Sequence, residues 1–161
     1  MSFLQKLLGS MLGPRVRAKA RGKTIDQLAA QLGETFERLE PLYARALDTA
    51  GNREAFNHWI GIERWSQSRL AVARGAQLKM DRYRGYRLAE GATLDELKTA
   101  FRQTRIETIT LARQLATEEV DPNLKIPSND LGDLTVTEWL QYIDDHSRRE
   151  RIRLRLAPAK A

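Results

Sequence analysis

The sequence predicts an all-α fold: a four-helix bundle with long crossover loops and an extra short N-terminal helical segment. Three observations carry this. Four separate segments repeat apolar residues at the three- and four-residue spacing of one helix face. Three of them open on a threonine with Glu or Gln three residues later, the reciprocal box that satisfies backbone N–H groups at a helix start. Strand-like alternation is nowhere sustained.

Taken in order, residues 1–23 stand apart. Phe3, Leu4, Leu7, Leu8, Met11 and Leu12 share one face of a short helix, followed by Gly13-Pro14 and the basic run Arg15, Arg17, Lys19, Arg21 and Lys23. Such a segment either docks on the bundle or on a second subunit, or makes weak peripheral contact with an anionic membrane surface. Docking is the expectation, because so short an amphipathic stretch is a weak anchor without a second signal. The bundle itself spans 24–157, with a tail at 158–161.

The first bundle helix starts at the Thr24/Gln27 box and carries Ile25, Leu28, Leu32, Phe36, Leu39 and Leu42 on one side, with Pro41 a candidate kink. The second follows Asn52 and places Phe56, Trp59, Ile62, Trp65, Leu70 and Ala73 over an arc broad enough to touch two neighbours, stopping near Gly75. The third opens at Thr93/Glu96 and continues through Leu97, Phe101, Thr104, Thr108 and Leu115. The fourth opens at Thr135/Glu138 and runs through Trp139, Tyr142, Ile143 and Leu154 toward Pro158. The link from Ala76 to Ala92 interleaves Tyr83 and Tyr86 with Arg82, Arg84 and Arg87, a pattern that suits either a ligand clamp or a cover over the end of the core.

Composition bounds the chemistry. At 161 residues, 42% hydrophobic and 30% charged, the chain is the size and make-up of one globular domain. It has no cysteine, which excludes disulfides, thiolate metal ligands and a cysteine nucleophile, leaving His, Asp and Glu as candidate ligands. The formal charge of +6 favours anionic partners in general, but the arginine clusters form no nucleic-acid recognition motif, which argues against DNA or RNA as the partner. No stretch reaches the roughly 20 apolar residues of a membrane span, and the N-terminus lacks the layout of a secretory signal, so a cytoplasmic location is expected.

The chain has two histidines, and helical geometry places both on apolar faces. Counting about 100° per residue from His58, Ile62 lies near ~40° and Trp65 near ~−20°, so the imidazole points inward. From His146, Trp139 lies near ~20°, Glu150 near ~40° and Ile143 near ~60°, with Asp144, Arg148 and Arg155 on the opposite side. A carboxylate on an apolar face needs a partner. Residues four apart stack one turn from each other, the separation used when one helix gives two ligands to one ion, and His58 from a facing helix would supply a third. Two imidazoles and one carboxylate suit Zn²⁺, Ni²⁺, Mn²⁺ or Fe²⁺. The competing reading is a buried His146–Glu150 hydrogen bond, with His58 satisfied by a backbone carbonyl or Tyr142, or Glu150 paired with Arg69 or Arg153.

Two segments carry a family resemblance. Asn57-His58-Trp59-Ile60-Gly61-Ile62-Glu63-Arg64-Trp65, followed by Arg69-Leu70, resembles the second helix of DinB/YfiT-like proteins, where a histidine opens a similar run. The stretch from Gly132-Asp133-Leu134-Thr135-Val136 through Trp139 and Tyr142 to His146 resembles that family's fourth helix. Members usually place a second histidine four residues further on, where this chain has Glu150. The resemblance implies the bundle fold, a divalent metal, a stress-associated role, and transfer of a low-molecular-weight thiol or hydrolysis on a small-molecule substrate, in a protein that commonly forms a homodimer. Arg69, Arg153 and Tyr142, on the same faces, are candidates for steering an anionic substrate. The alternative is a non-catalytic binding protein whose metal or Arg–Glu pair only holds the helices together.

Overall fold

The computed structural model describes the backbone of residues 3–159 and the side chains of residues 12–159. Most of the described chain is helical, in five α-helices with one small hairpin. The apolar face expected from Phe3 to Met11 lies outside the described side chains, and residues 1–2 and 160–161 of the two terminal segments lie outside the description altogether.

The N-terminal segment is longer than expected: α1 runs Phe3–Ala20 straight through Pro14 and includes most of the basic run. Val16 and Ala20, one turn apart, are buried, while the charges between them face out or find partners. Arg17 donates to the carbonyls of Leu131 and Asp133 at 3.1 and 3.3 Å, and Lys19 pairs with Asp145 at 2.7 Å. The C-terminal half of α1 is thus docked on the same chain.

Helix α2 (Ile25–Ala44) starts at the expected Thr24/Gln27 box and retains Pro41 within it. Helix α3 (Ala50–Leu70) starts earlier than expected, because Thr49 and not Asn52 accepts at the N-cap. Thr and Asn are both good caps, and tertiary demand decides between them. Asn52 is buried and clasps distant chain instead, donating to the carbonyls of Leu47 and Arg155 at 2.7 and 2.8 Å. A 3-10 turn, Ala71–Arg74, extends α3 to Gly75, whose φ of +89° is the left-handed conformation a side chain would resist.

Helix α4 (Leu94–Thr117) and helix α5 (Val136–Glu150) both begin at complete capping boxes, Thr93/Glu96 and Thr135/Glu138. Between them lies a hairpin that the sequence reading missed, β1 (Lys125–Pro127) antiparallel to β2 (Asp133–Thr135), with Ile126 opposite Leu134. Three-residue strands are too short to show alternation. Trp139 ties the hairpin to α5, donating to the Ile126 carbonyl at 3.1 Å. The expected continuation of α5 to Leu154 also fails, since the helix gives way to a 3-10 turn at Arg151–Arg153 and Leu154 is extended. The chain beyond returns to the end of α2, where Ala157 and Arg45 exchange hydrogen bonds.

Each of α2 and α3 packs against both α4 and α5, and α1 lies along α5. Two apolar clusters result, one around Leu28, Leu32, Trp65, Leu115 and Trp139, the other an aromatic nest of Tyr43, Phe56, Trp59 and Phe101 with ring centroids 5.0–6.1 Å apart. Because α5 has neighbours on several sides, Asp144, expected on its solvent face, is buried, accepting from Gln31 of α2 at 2.7 Å and pairing with Arg148 at 2.8 Å. Among the described residues no helix is long and apolar enough to cross a membrane.

Candidate metal centre

His58 sits in the third turn of α3 and His146 in the last turns of α5, and the contact between these helices brings them together across the 88 residues that separate them in sequence. Their Nε2 atoms are 3.3 Å apart and their ring centroids 5.1 Å. Glu150, one turn beyond His146, completes the cluster: one ligand atom from each of the three residues lies within 4.8 Å of the other two. His146 is 5% exposed and Glu150 9%, while His58 is half-buried at the rim of a cleft.

The electrostatics favour neutral imidazoles. Burial lowers the His58 pKa below its usual 6.5, and the nearby Glu150 opposes that shift. His146 is lowered further, first by burial and then by the neighbouring His58. Neutral rings leave lone pairs free, which is the form in which histidine binds a metal. Two nitrogens each about 2.1 Å from one ion, at an angle between octahedral and tetrahedral, are about 3.0–3.4 Å apart, so the Nε2 spacing suits a shared cation. It also suits one N–H···N hydrogen bond between the rings. The donor set of two imidazoles and a carboxylate fits a borderline divalent cation.

The other expected partners fall as follows. The His146–Glu150 hydrogen bond is not found; Glu150 accepts instead from Arg153 at 2.7 Å, with Arg149 Nε more loosely placed at 3.5 Å. Arg69 does not pair with Glu150. It is 1% exposed, lies 5.1 Å from the Trp65 ring centroid, and donates to the Asp81 carbonyl and Asn129 Oδ1 at 3.2 and 3.0 Å, which pins two loops together. Tyr142 stacks at 6.0 Å from the His146 ring and lines the cleft without bonding His58. Of the crossover tyrosines, Tyr83 packs edge-on to His58 at 5.1 Å and Tyr86 closes the core by donating to Asp81 at 2.7 Å. Gly61 permits the first contact: a Cβ there would lie 2.9 Å from the Tyr83 carbonyl oxygen.

Sequence reasoning overlooked a second polar cluster behind the histidines. Arg105 of α4 donates through Nη2 to Glu63 of α3 at 3.0 Å and to Ser147 of α5, and Thr108 donates to the other Glu63 oxygen at 2.7 Å. Glu63 follows His58 by five residues and Ser147 follows His146 directly, so this one guanidinium holds both histidine-bearing helices. The available signal was a Glu inside the apolar arc of α3 and an Arg four residues after Phe101.

Compared with known protein families, curated proteins and solved structures, the chain matches none.

Proposed function

We propose that this chain is a DinB-like four-helix-bundle protein that holds a divalent cation among His58, His146 and Glu150 and acts with it on a small molecule. The reactions favoured are transfer of a low-molecular-weight thiol to an electrophile and hydrolysis. The observation that carries the reading is the convergence of two neutral imidazoles and one carboxylate at ligand spacing, on two helices, at the edge of a cleft. A cation bound there would supply Lewis acidity that lowers the pKa of a thiol or water. The protein's own residues do the rest: α3 and α5 present the ligands, the Arg105 cluster fixes their separation, and Tyr83 and Tyr142 screen the histidines from bulk water.

One observation favours a second reading. The 2.7 Å bond from Arg153 occupies a Glu150 oxygen, as expected of a non-catalytic protein in which an Arg–Glu pair, or a structural ion, ties the chain end to α5. Elemental analysis of the purified wild type beside His146→Ala separates binding from no binding: equal metal content in both would end the proposed ligand set. Incubation of metal-loaded protein with thiols and electrophiles then separates the readings, since turnover abolished by chelator supports the enzyme, whereas a chelator-sensitive melting temperature without turnover supports the structural role.

A further inference from the structure

Beside the histidines lies a cleft of about 300 Å³, within the size range of small-molecule sites. Five parts of the chain build it: Leu12 of α1, His58, Ile62 and Trp65 of α3, the turn at Arg82 and Tyr83, the hairpin loop 128–131, and Tyr142 and Arg149 of α5. We propose that it receives a small aromatic carboxylate, with the ring among Trp65, Tyr83 and Tyr142 and the carboxylate on Arg149. This names a substrate class for the site proposed above and rests on that reading for its chemistry, while the binding rests on the cleft alone.

The aromatic half follows from the walls. Trp65 is held in place by its indole N–H, which donates to the Asp81 carbonyl at 3.2 Å, and Tyr83 is braced by its edge-on contact with His58. Fixed aromatic walls receive a flat ring in edge-to-face or offset geometry at little conformational cost.

The anionic half follows from the charges. Among the described residues three charged side chains line the cleft, and two of them, Arg82 and Asp130, face each other at 3.4 Å. The third is Arg149, whose one ionic neighbour among the described residues is Glu150, at 3.5 Å, beyond good hydrogen-bond geometry and on an oxygen pair already served by Arg153. Its terminal nitrogens carry no hydrogen bond among the described residues, so they are free to grip a carboxylate in two-pronged fashion. Tyr142, which also lines the cleft, adds a hydroxyl with no partner among the described residues. Asn129, whose carbonyl oxygen is taken by Arg69, offers its NH₂.

The test measures binding by calorimetry, with chelator-treated and zinc-loaded protein, using phenylacetate, its neutral isostere phenylacetamide, and acetate. Phenylacetate is expected to bind metal-free protein about tenfold more tightly than phenylacetamide, a difference of about 1.4 kcal/mol, and acetate to bind far more weakly than either. Arg149→Gln should abolish the difference between acid and amide, Arg149→Lys should keep part of it, and His146→Ala should leave it intact. Equal affinity for acid and amide, or no saturable binding of phenylacetate, overturns the proposal. So does a preference for the acid that appears only with zinc and vanishes in His146→Ala, which would put the carboxylate on the ion and leave the metal reading standing. If the preference holds in a protein that takes up no zinc, the cleft survives and the metal reading fails.

Discussion

Arg105 and Glu63 meet at 3.0 Å with 1% and 3% of their surfaces exposed, so an ion pair between α4 and α3 is sealed inside the protein. Such a pair contributes little net stability by its presence, yet breaking it strands a charge. Arg105→Met is therefore expected to destabilise the fold by about 3–5 kcal/mol, with Glu63→Gln costing less because the amide still accepts from Thr108. Urea unfolding of the two variants checks the order. A larger loss for Glu63→Gln would show that the Arg105 guanidinium, which cannot shed its charge, costs more when stranded than the amide's bond to Thr108 recovers.

The same pair sets one limb of the pH profile. Burial raises the Glu63 pKa above its usual 4.5 more than Arg105 and Thr108 lower it. The folded state therefore holds this proton more tightly than the unfolded chain, and the stability it confers is present below pH 4.5 and declines as pH rises through the folded value. Glu63→Gln should remove that decline.

The histidines act in the opposite sense. Their folded pKa values lie below 6.5, so as pH falls through 6.5 the unfolded chain takes up protons that the folded chain refuses, and metal-free protein loses stability. Above pH 7 the two contribute no slope. Melting temperatures between pH 7.5 and 5.5 should drop less in His146→Gln than in wild type, and equal drops would contradict the burial of the ring.

Replacing Glu150 separates its two roles. Glu150→Gln removes the charge and is expected to weaken Zn²⁺ or Ni²⁺ binding at least about tenfold, about 1.4 kcal/mol. Glu150→His, which restores a nitrogen ligand at that position, should bind the ion while losing the Arg153 contact. Titration with competing chelator measures both; unchanged affinity in Glu150→Gln would remove this residue from the ligand set.

Gly61→Ala tests the wall over His58. The new Cβ would press on the Tyr83 carbonyl and the Arg87 side chain, both at 2.9 Å. A cost of about 1–3 kcal/mol is expected, together with a shift of the His58 ring proton resonances as Tyr83 moves away. A neutral melting temperature and unchanged resonances would show that the crossover turn yields freely.

The helices were legible because their signals are local. Capping boxes at Thr24, Thr93 and Thr135 and the apolar periods that follow them need only the neighbouring turn to act, and all three helices start where those boxes lie. The inward placement of His58, His146 and Glu150 was equally readable from angular position. What chain-local reasoning could not decide were the partners. Whether Glu150 meets Arg69 or Arg153 depends on where two loops run, and Arg69 proves to be claimed by Asp81 and Asn129. Asp144 is buried because α2 covers a face that looks solvent-bound on a helical wheel.

The sequence by itself determined the helical elements, the absence of thiol ligands and the faces on which the candidate ligands stand, since propensity, capping and periodicity act over a few residues. The tertiary structure alone decided that His58 and His146 lie 3.3 Å apart, that Arg105 spans three helices, and that a cleft opens beside Arg149. Those relations join residues far apart in the chain, and only the packing of one helix against another fixes such distances.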